Sequence, residues 1–69
     1  MNPITITLNG APQRIAPGTA LAELLAAIGQ PPEALATAVN GEFVARAARP
    51  QHELREGDAV FTFQPITGG

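Results

Sequence analysis

The sequence predicts an α+β fold in which a mixed sheet of four to five strands packs on one main helix. Two segments are built around Asn-Gly pairs and predict β-hairpins, and the segment between them has the apolar spacing of an amphipathic helix. A final segment rich in Val and Phe predicts one further strand. The apolar stripe of a helix needs an apolar sheet face to cover it, and a mixed sheet wrapped round one helix provides that face. In this sheet we expect the last strand to lie centrally, parallel to the first.

The first hairpin is predicted near the start of the chain. Residues 4–8, Ile-Thr-Ile-Thr-Leu, alternate apolar and polar side chains, which is typical of a strand with one buried face. Asn9 and Gly10 follow, and both residue types accept the positive φ angles of a two-residue hairpin turn. The second strand is expected over residues 11–15, at an edge of the sheet, because Pro12 has no backbone N–H to donate.

A short amphipathic helix is predicted next. Its apolar residues recur at i, i+3, i+4 and i+7 and therefore lie on one face of a helix. They are Leu21, Leu24, Leu25 and Ile28. Thr19 is the expected N-cap residue, since its hydroxyl can accept a hydrogen bond from an early helical amide. Gly29 is placed to be the C′ residue, and Pro31 and Pro32 prevent the helix from continuing.

The second hairpin is predicted around Asn40 and Gly41. Strands are expected over residues 37–39 and 42–44, on either side of this pair. One further helical turn is expected over residues 32–36, between the helix and the hairpin. The hairpin would supply two more strands to the same sheet.

The rest of the chain is predicted to be a loop followed by the last strand. Residues 45–53 are expected to form a loop with a short helical turn, and Leu54 is expected to be a buried anchor. Residues 56–58, Glu-Gly-Asp, predict a turn. Residues 59–64 predict the last strand, and Pro65 either ends this strand or lies at its edge.

Length sets limits on function. At 69 residues the chain is predicted to form one domain, residues 1–65, followed by a flexible tail, residues 66–69, that ends in Gly-Gly. A domain of this size buries only about 60% of the surface of its unfolded chain, which leaves no room for a deep substrate pocket. The sequence also shows no nucleophile–base pair, phosphate-cradling loop or metal-ligand set, so we do not expect an enzyme.

Cysteine content and charge exclude several classes of protein. The absence of cysteine excludes disulfides and thiolate metal sites, and a single histidine excludes a histidine-rich zinc site. With a formal net charge of −2 and no basic patch, nucleic acid is not expected as a partner. The sequence has no apolar stretch that could span a bilayer and no signal peptide, so we expect a cytoplasmic protein that does not bind a membrane.

The scattered charged and polar residues are expected to lie on the solvated surface. The only histidine, His52, lies in the predicted loop without an evident carboxylate partner in a catalytic pattern. Turn formation accounts for Asp58. The four cations, all arginines, show no clustering; they are Arg14, Arg46, Arg49 and Arg55.

Taken in order, these features resemble the ubiquitin-like β-grasp domains and, more narrowly, the sulfur-carrier family of bacterial thiamine biosynthesis. The resemblance covers essentially all 69 residues. It depends on the order and spacing of several short motifs rather than on any one of them. The motifs are Asn9-Gly10, Gly18-Thr19 before Glu23-Leu24-Leu25, Val39-Asn40-Gly41-Glu42-Phe43-Val44, Glu56-Gly57-Asp58 and the terminal Gly68-Gly69.

The resemblance implies a carrier whose working group is the carboxylate of Gly69. In this family a ubiquitin-activating-like enzyme uses ATP to adenylate the terminal carboxylate, and sulfur from a cysteine desulfurase-linked donor converts it to a thiocarboxylate. Thiazole synthase then takes that sulfur into the thiazole ring of thiamine. The resemblance thus implies a co-substrate of partner enzymes that binds no cofactor and is a monomer on its own.

The residues of the tail suit this chemistry. A free carboxylate is a poor acyl donor, whereas a mixed anhydride with AMP has a good leaving group. Gly68 and Gly69 fit a narrow channel because they lack side chains, and with Ile66 and Thr67 they reach about 13 Å beyond Pro65 when extended. Taken alone, a terminal Gly-Gly is better explained as a disordered end or a cloning remnant. Its place directly after the last strand of this element order favours the functional interpretation.

The last strand has apolar residues on both of its faces. Phe61 and Phe63 are two residues apart and so share a face, which by default would be the core face for two aromatic residues. The resemblance implies the reverse, with Val60 in the core and Phe63 on an open face that docks partners. We expect Phe63 to be exposed, and Ile66 in the tail to be a further docking residue.

Three alternatives to this function stay open at this point. The small subunit of molybdopterin synthase uses the same terminal thiocarboxylate for the molybdenum cofactor. A ubiquitin-like protein modifier shares the activation step but ends in an amide bond to a target lysine. A non-activated β-grasp binding module would not use its terminus, and deletion of Gly69 would leave it fully active.

Overall fold

The computed structural model describes residues 2–29 and 35–63. Within these residues there are five strands, one α-helix and one 3-10 helix. In chain order they are β1 Ile4–Leu8, β2 Ala11–Ile15, α1 Leu21–Ala27, β3 Ala36–Val39, β4 Glu42–Val44, a 3-10 helix over Arg46–Gln51, and β5 Ala59–Phe63. No helix in the described part of the chain is long and apolar enough to cross a membrane.

The five strands form one mixed sheet with the order β2-β1-β5-β3-β4. β1 and β5 are parallel, whereas the pairs β1–β2, β3–β4 and β3–β5 are antiparallel. β5 therefore lies at the centre of the sheet, parallel to the first strand, as predicted. β2 lies at an edge of the sheet, as predicted from Pro12. Proline is tolerated there because the outer side of an edge strand makes no ladder hydrogen bonds.

The core lies between the sheet and α1, and its buried apolar residues are all aliphatic. They are Ile6, Leu21, Leu24, Leu25, Leu35, Val39, Val44, Leu54 and Val60. The three leucines of α1 belong to the predicted stripe, and Ile28, its fourth member, packs partly buried against this cluster. Leu54 is buried, as predicted. Each such side chain stabilises the fold by about 1.5–3 kcal/mol on burial, so this cluster dominates the stability of the domain.

The start of α1 differs from the prediction. The N-cap residue is Ala20, and the hydroxyl of Thr19 donates instead to the Ala16 carbonyl at 2.7 Å. The cap comes from within the helix, because the Glu23 carboxylate accepts a hydrogen bond from the Ala20 N–H at 2.8 Å. The Thr19 prediction is wrong because the Thr19 carbonyl accepts the N–H of Leu54 at 2.9 Å, which keeps this residue outside the helix.

The end of α1 follows the prediction. Gly29 has a φ of 75° directly after the C-cap residue Ile28, and its N–H donates to the Ala26 carbonyl at 3.2 Å. A positive φ at this position is what a glycine at C′ provides. The helix therefore ends where the sequence predicts.

The chain after α1 corrects the helical turn predicted over residues 32–36. Ala36 begins β3, one residue earlier than the predicted strand, so the turn is wrong at this end. Residues 30–34 lie outside the described residues, and so do the two prolines that we expect to stop the helix. The short helical turn predicted within residues 45–53 is present as the 3-10 helix.

Arg49 is buried, and the prediction of a solvated arginine is wrong here. Only 2% of Arg49 is exposed. Its Nε donates to the Thr37 hydroxyl at 3.1 Å, and its Nη2 donates to the Leu35 carbonyl. Thr37 is itself buried and donates to the Val44 carbonyl at 2.9 Å. The guanidinium thus has acceptors in β3 and in the residue before it, which the local sequence does not reveal, and these acceptors make its burial possible. The other three arginines are exposed, as predicted.

Candidate functional site

β5 is the strand that leads to the predicted reactive end of the chain. Its last residue, Phe63, is also the last described residue, and six residues follow it in the sequence. The predicted end of the strand at residue 64 and the predicted domain boundary after residue 65 lie outside the described residues. So do the four predicted tail residues, which are Ile66, Thr67, Gly68 and Gly69. The structure therefore describes the strand that precedes the predicted tail, up to Phe63.

Three phenylalanines lie on the face of the sheet that α1 does not cover. Ala38 of β3 lies opposite Phe43 of β4 and, on its other side, opposite Phe61 of β5. Ala36 lies opposite Phe63. The side chains of paired residues point to the same face, and the alternate residues of these strands include the valines of the core. These five residues together form what we call the aromatic face.

The aromatic face holds all three phenylalanines of a chain that has no tryptophan or tyrosine. Phe43 is 71% exposed, Phe63 53% and Phe61 40%. The two alanines lie opposite the rings in the strand pairing and add apolar surface to this face. A small domain that keeps its largest apolar side chains on the surface, while its core is aliphatic, has the composition of an interaction site.

The strands that bear the aromatic face differ in how firmly they are held. β5 pairs with β1 on one side and β3 on the other, so Phe61 and Phe63 are on the central strand of the sheet. Phe43 is on β4, a three-residue edge strand. Phe61 and Phe63 are therefore on a strand that is paired on both sides, whereas Phe43 is on a strand that is paired on one side only.

Comparison with known proteins identifies the family of the chain. The model of the ThiS family matches residues 6–69. The chain belongs to the ThiS family. It is 34% identical to the sulfur carrier protein ThiS of Escherichia coli (strain K12) over 64 residues, which are 93% of this chain and 97% of that protein.

Two solved structures are similar to this member of the ThiS family. The crystal structure of the thiamine biosynthesis protein (ThiS) from Geobacter metallireducens has a TM-score of 0.85 and 30% identity, and the match covers 96% of this chain and 100% of that chain. The NMR solution structure of a thiamine biosynthesis protein from the same organism has a TM-score of 0.75 and 30% identity, with 96% and 88% covered. Both the predicted family and the predicted ubiquitin-like β-grasp fold are thereby confirmed.

The structure decides which face of β5 is open. Phe63 is exposed and Val60 is fully buried, as the resemblance implies, and the default placement of Phe61 and Phe63 in the core is wrong. The docking role of Phe63 stays a prediction. Phe43, the most exposed of the three, is not among the predicted docking residues. The register of a two-residue hairpin is the signal that could have found it, since it pairs Phe43 with Ala38 on the face opposite Val39.

A cavity of about 420 Å³ lies at the end of β5 that is remote from the tail. His52 lines this cavity and is half-buried, so the prediction of a fully solvated histidine is wrong. Asp58 also lines it, and its carboxylate accepts the Arg55 N–H at 2.9 Å and the Asn40 side-chain amide at 3.0 Å. Asp58 is thus used in the turn, as predicted. The described residues contain no group of three or more His, Asp and Glu that could hold a metal ion.

Proposed function

We propose that this chain carries sulfur as a thiocarboxylate on Gly69, at the end of the tail. Membership of the ThiS family makes it a sulfur carrier protein of thiamine biosynthesis, which is a carrier rather than an enzyme and works with partner enzymes. In our proposal residues 1–65 are the docking body and residues 66–69 are the arm that enters the active site of a partner. The family match extends through this arm to Gly69, which supports the assignment.

The observation that most supports this proposal is the place of the aromatic face on β5. Phe61 and Phe63 are exposed on the last described strand, and six residues separate Phe63 from the end of the sequence at Gly69. When fully extended, six residues reach about 20 Å. A partner that covers the aromatic face would therefore have Gly69 within reach of a cleft next to the docking site.

The proposed reaction sequence uses the tail and enzymes that bind to the body. The adenylating enzyme joins the Gly69 carboxylate to the α-phosphorus of ATP and releases pyrophosphate. The terminal sulfur of a persulfide on a cysteine desulfurase-linked donor then attacks the acyl adenylate, AMP leaves, and an acyl disulfide forms. A thiol of a partner protein attacks the S–S bond, forms a disulfide with the donor sulfur and releases the thiocarboxylate on Gly69. Thiazole synthase takes the sulfur from this group. Since the adenylating enzyme binds the ATP, the carrier itself requires no bound cofactor.

We assign the aromatic face to the adenylating enzyme as its docking surface. A ring such as Phe63, half-exposed in the free carrier, would be desolvated by an apolar partner surface, and each such side chain can stabilise the complex by about 1–3 kcal/mol. The carrier has a net charge of −2 and offers no basic patch, so a basic rim around the apolar surface of the partner would be complementary.

Intact mass after incubation with the adenylating enzyme, ATP and a sulfur donor tests the proposal. We expect a product heavier by the difference between one sulfur and one oxygen atom. The matched control lacks Gly68 and Gly69 but keeps every described residue, so it should fold with the same thermal midpoint and gain no mass. In a strain that requires thiamine, the full chain should restore growth and the truncated chain should not. Growth with the truncated chain would show that Gly69 is not the working group.

The other candidate functions predict different products in the same measurement. A protein modifier would give an adduct with the mass of a second protein. A binding module that never uses its terminus would give no change in mass and would support growth without Gly69. The two similar solved structures are of proteins named for thiamine biosynthesis, which favours this pathway over that of the molybdenum cofactor.

A further inference from the structure

The two Asn-Gly turns hold β5 through matched sets of hydrogen bonds. Asn9 and Asn40 have φ angles of 52° and 53°, and their N–H groups donate to β5 carbonyls at 2.8 Å, Asn9 to Val60 and Asn40 to Ala59. Each side-chain oxygen also accepts a backbone N–H of β5 at 3.0 Å, from Thr62 for Asn9 and from Ala59 for Asn40. The two carboxamides therefore act as short extensions of the neighbouring strands.

The two asparagines hold opposite ends of β5. Asn40 acts at Ala59, where β5 begins, and its amide group donates to Asp58 in the preceding turn at 3.0 Å. Asn9 acts at Thr62, and its amide group donates to the Thr62 hydroxyl at 3.0 Å. Thr62 is the residue before the last one of β5, so Asn9 holds the end nearer the tail.

The two sides of this end of β5 are held in different ways. On one side, β3 follows β5 as far as Ala36, which lies opposite Phe63. On the other side, β1 pairs with β5 at two positions only, and the last pair is Leu8 with Val60. Beyond that pair, the side chain of Asn9 is the group that continues the hydrogen bonding along β5 in the described part of the chain.

We propose that Asn9 is a positioning residue for the reaction at Gly69, an inference that rests on the proposed function above. Its carboxamide holds Thr62, and so restrains the end of the described strand from which the chain continues towards Gly69. Without this carboxamide, Thr62 and Phe63 gain conformational freedom. The carboxylate of Gly69 then spends less time at the reacting position in a docked partner, because its effective concentration there falls.

The test compares Asn9→Gly with its matched control, Asn40→Gly. Glycine accepts a φ near 52°, so both variants keep the turn and lose the carboxamide, and the added backbone freedom of glycine is common to the two. The adenylating enzyme exchanges pyrophosphate into ATP in the presence of the carrier, and this exchange is measured against carrier concentration. We expect Asn9→Gly to lower kcat about fivefold with KM within about twofold of wild type. Asn40→Gly should leave kcat unchanged.

The split between kcat and KM separates positioning from stability. A variant that is only less stable has a smaller folded fraction, which raises the apparent KM and leaves kcat intact, since each folded carrier reacts normally. Asn9→Asp keeps a side-chain oxygen for the N–H of Thr62 and should restore most of kcat. Amide hydrogen exchange should become faster at Thr62 in Asn9→Gly, and at Ala59 in Asn40→Gly.

The outcomes distinguish this inference from the proposed function. An unchanged kcat in Asn9→Gly, or an equal fall in Asn40→Gly, would overturn the positioning role while leaving the carrier function intact. Unchanged hydrogen exchange at Thr62 in Asn9→Gly would also overturn it. A wild-type chain that supports no exchange of pyrophosphate would overturn both, and that result is seen before any variant is measured.

Discussion

The two faces of the sheet are built from the same strands but have opposite compositions. Under α1, β5 contributes Val60, which is fully buried in an aliphatic core. On the other face the same strand exposes Phe61 and Phe63 to 40% and 53%. The largest apolar side chains are therefore not placed where burial would stabilise the fold most. If the open face docks partners as we propose, stability and docking depend on different residues of one strand, and each should be changeable without the other.

Val60→Ala should show the largest effect on the covered face. Removing two buried methyl groups from a fully buried residue should lower the free energy of unfolding by about 2 kcal/mol, measured by urea denaturation. At saturating carrier, kcat for adenylation should stay at the wild-type value. If Val60→Ala instead weakened docking without loss of stability, the two faces would not be separate in the way we describe.

Arg49→Lys probes the polar part of the covered face. Lysine keeps the charge but not the planar set of donors that reaches Thr37 and Leu35, so we expect a loss of about 1–2 kcal/mol of unfolding free energy. The control is Arg46→Lys, at an exposed position in the same 3-10 helix, which should change stability by less than about 0.5 kcal/mol. Equal effects at the two positions would contradict a structural role for the buried guanidinium.

Phe63→Ala should show the corresponding effect on the open face. We expect KM for adenylation to rise about tenfold, while the free energy of unfolding changes by less than about 1 kcal/mol because the ring is half-exposed. Thr7→Ala, in β1 beside Ala59, changes the same face outside the aromatic face and should leave KM unchanged. An unaltered KM in Phe63→Ala would remove this residue from the docking surface.

Glu23→Ala should give the smallest of these effects. It removes the acceptor for the Ala20 N–H and should cost about 0.5–1 kcal/mol of unfolding free energy. Glu23→Gln keeps a side-chain oxygen at the same place and should recover most of this loss. The kinetics of adenylation should not change in either variant. A change in KM would show that the start of α1 belongs to the docking surface.

Much of the fold could be predicted from local patterns. The alternation of residues 4–8, the two Asn-Gly pairs and the leucine spacing of α1 each depend on neighbours within a few positions, and the strands, hairpins and helix that these patterns predict are present. The position of Thr19 outside the helix and the burial of Arg49 could not be predicted in this way. Their partners, Leu54 for the Thr19 carbonyl and Thr37 for the Arg49 guanidinium, are brought close only when the chain has folded.

The candidate site was predicted in part. The exposure of Phe63 follows from the resemblance. The exposure of Phe43 can be predicted only when the register of the second hairpin and the position of α1 are both known. The role of Asn9 also requires the folded chain. Thr62, to which it bonds, is 53 residues away in the sequence, so the turn motif alone indicates only a hairpin.

The sequence by itself determined the elements, their order and the family, because these depend on periodicity, turn residues and motif spacing within short segments. Periodicity alone did not determine which face of β5 is covered; the family resemblance implied the answer, and the tertiary structure decided it. Both faces of β5 bear apolar residues, Val60 on one and Phe61 and Phe63 on the other. The alternation therefore shows that the strand has two faces but not which of them is buried. The side on which α1 packs settles the choice, and it leaves the aromatic residues in solvent on the strand that leads to Gly69.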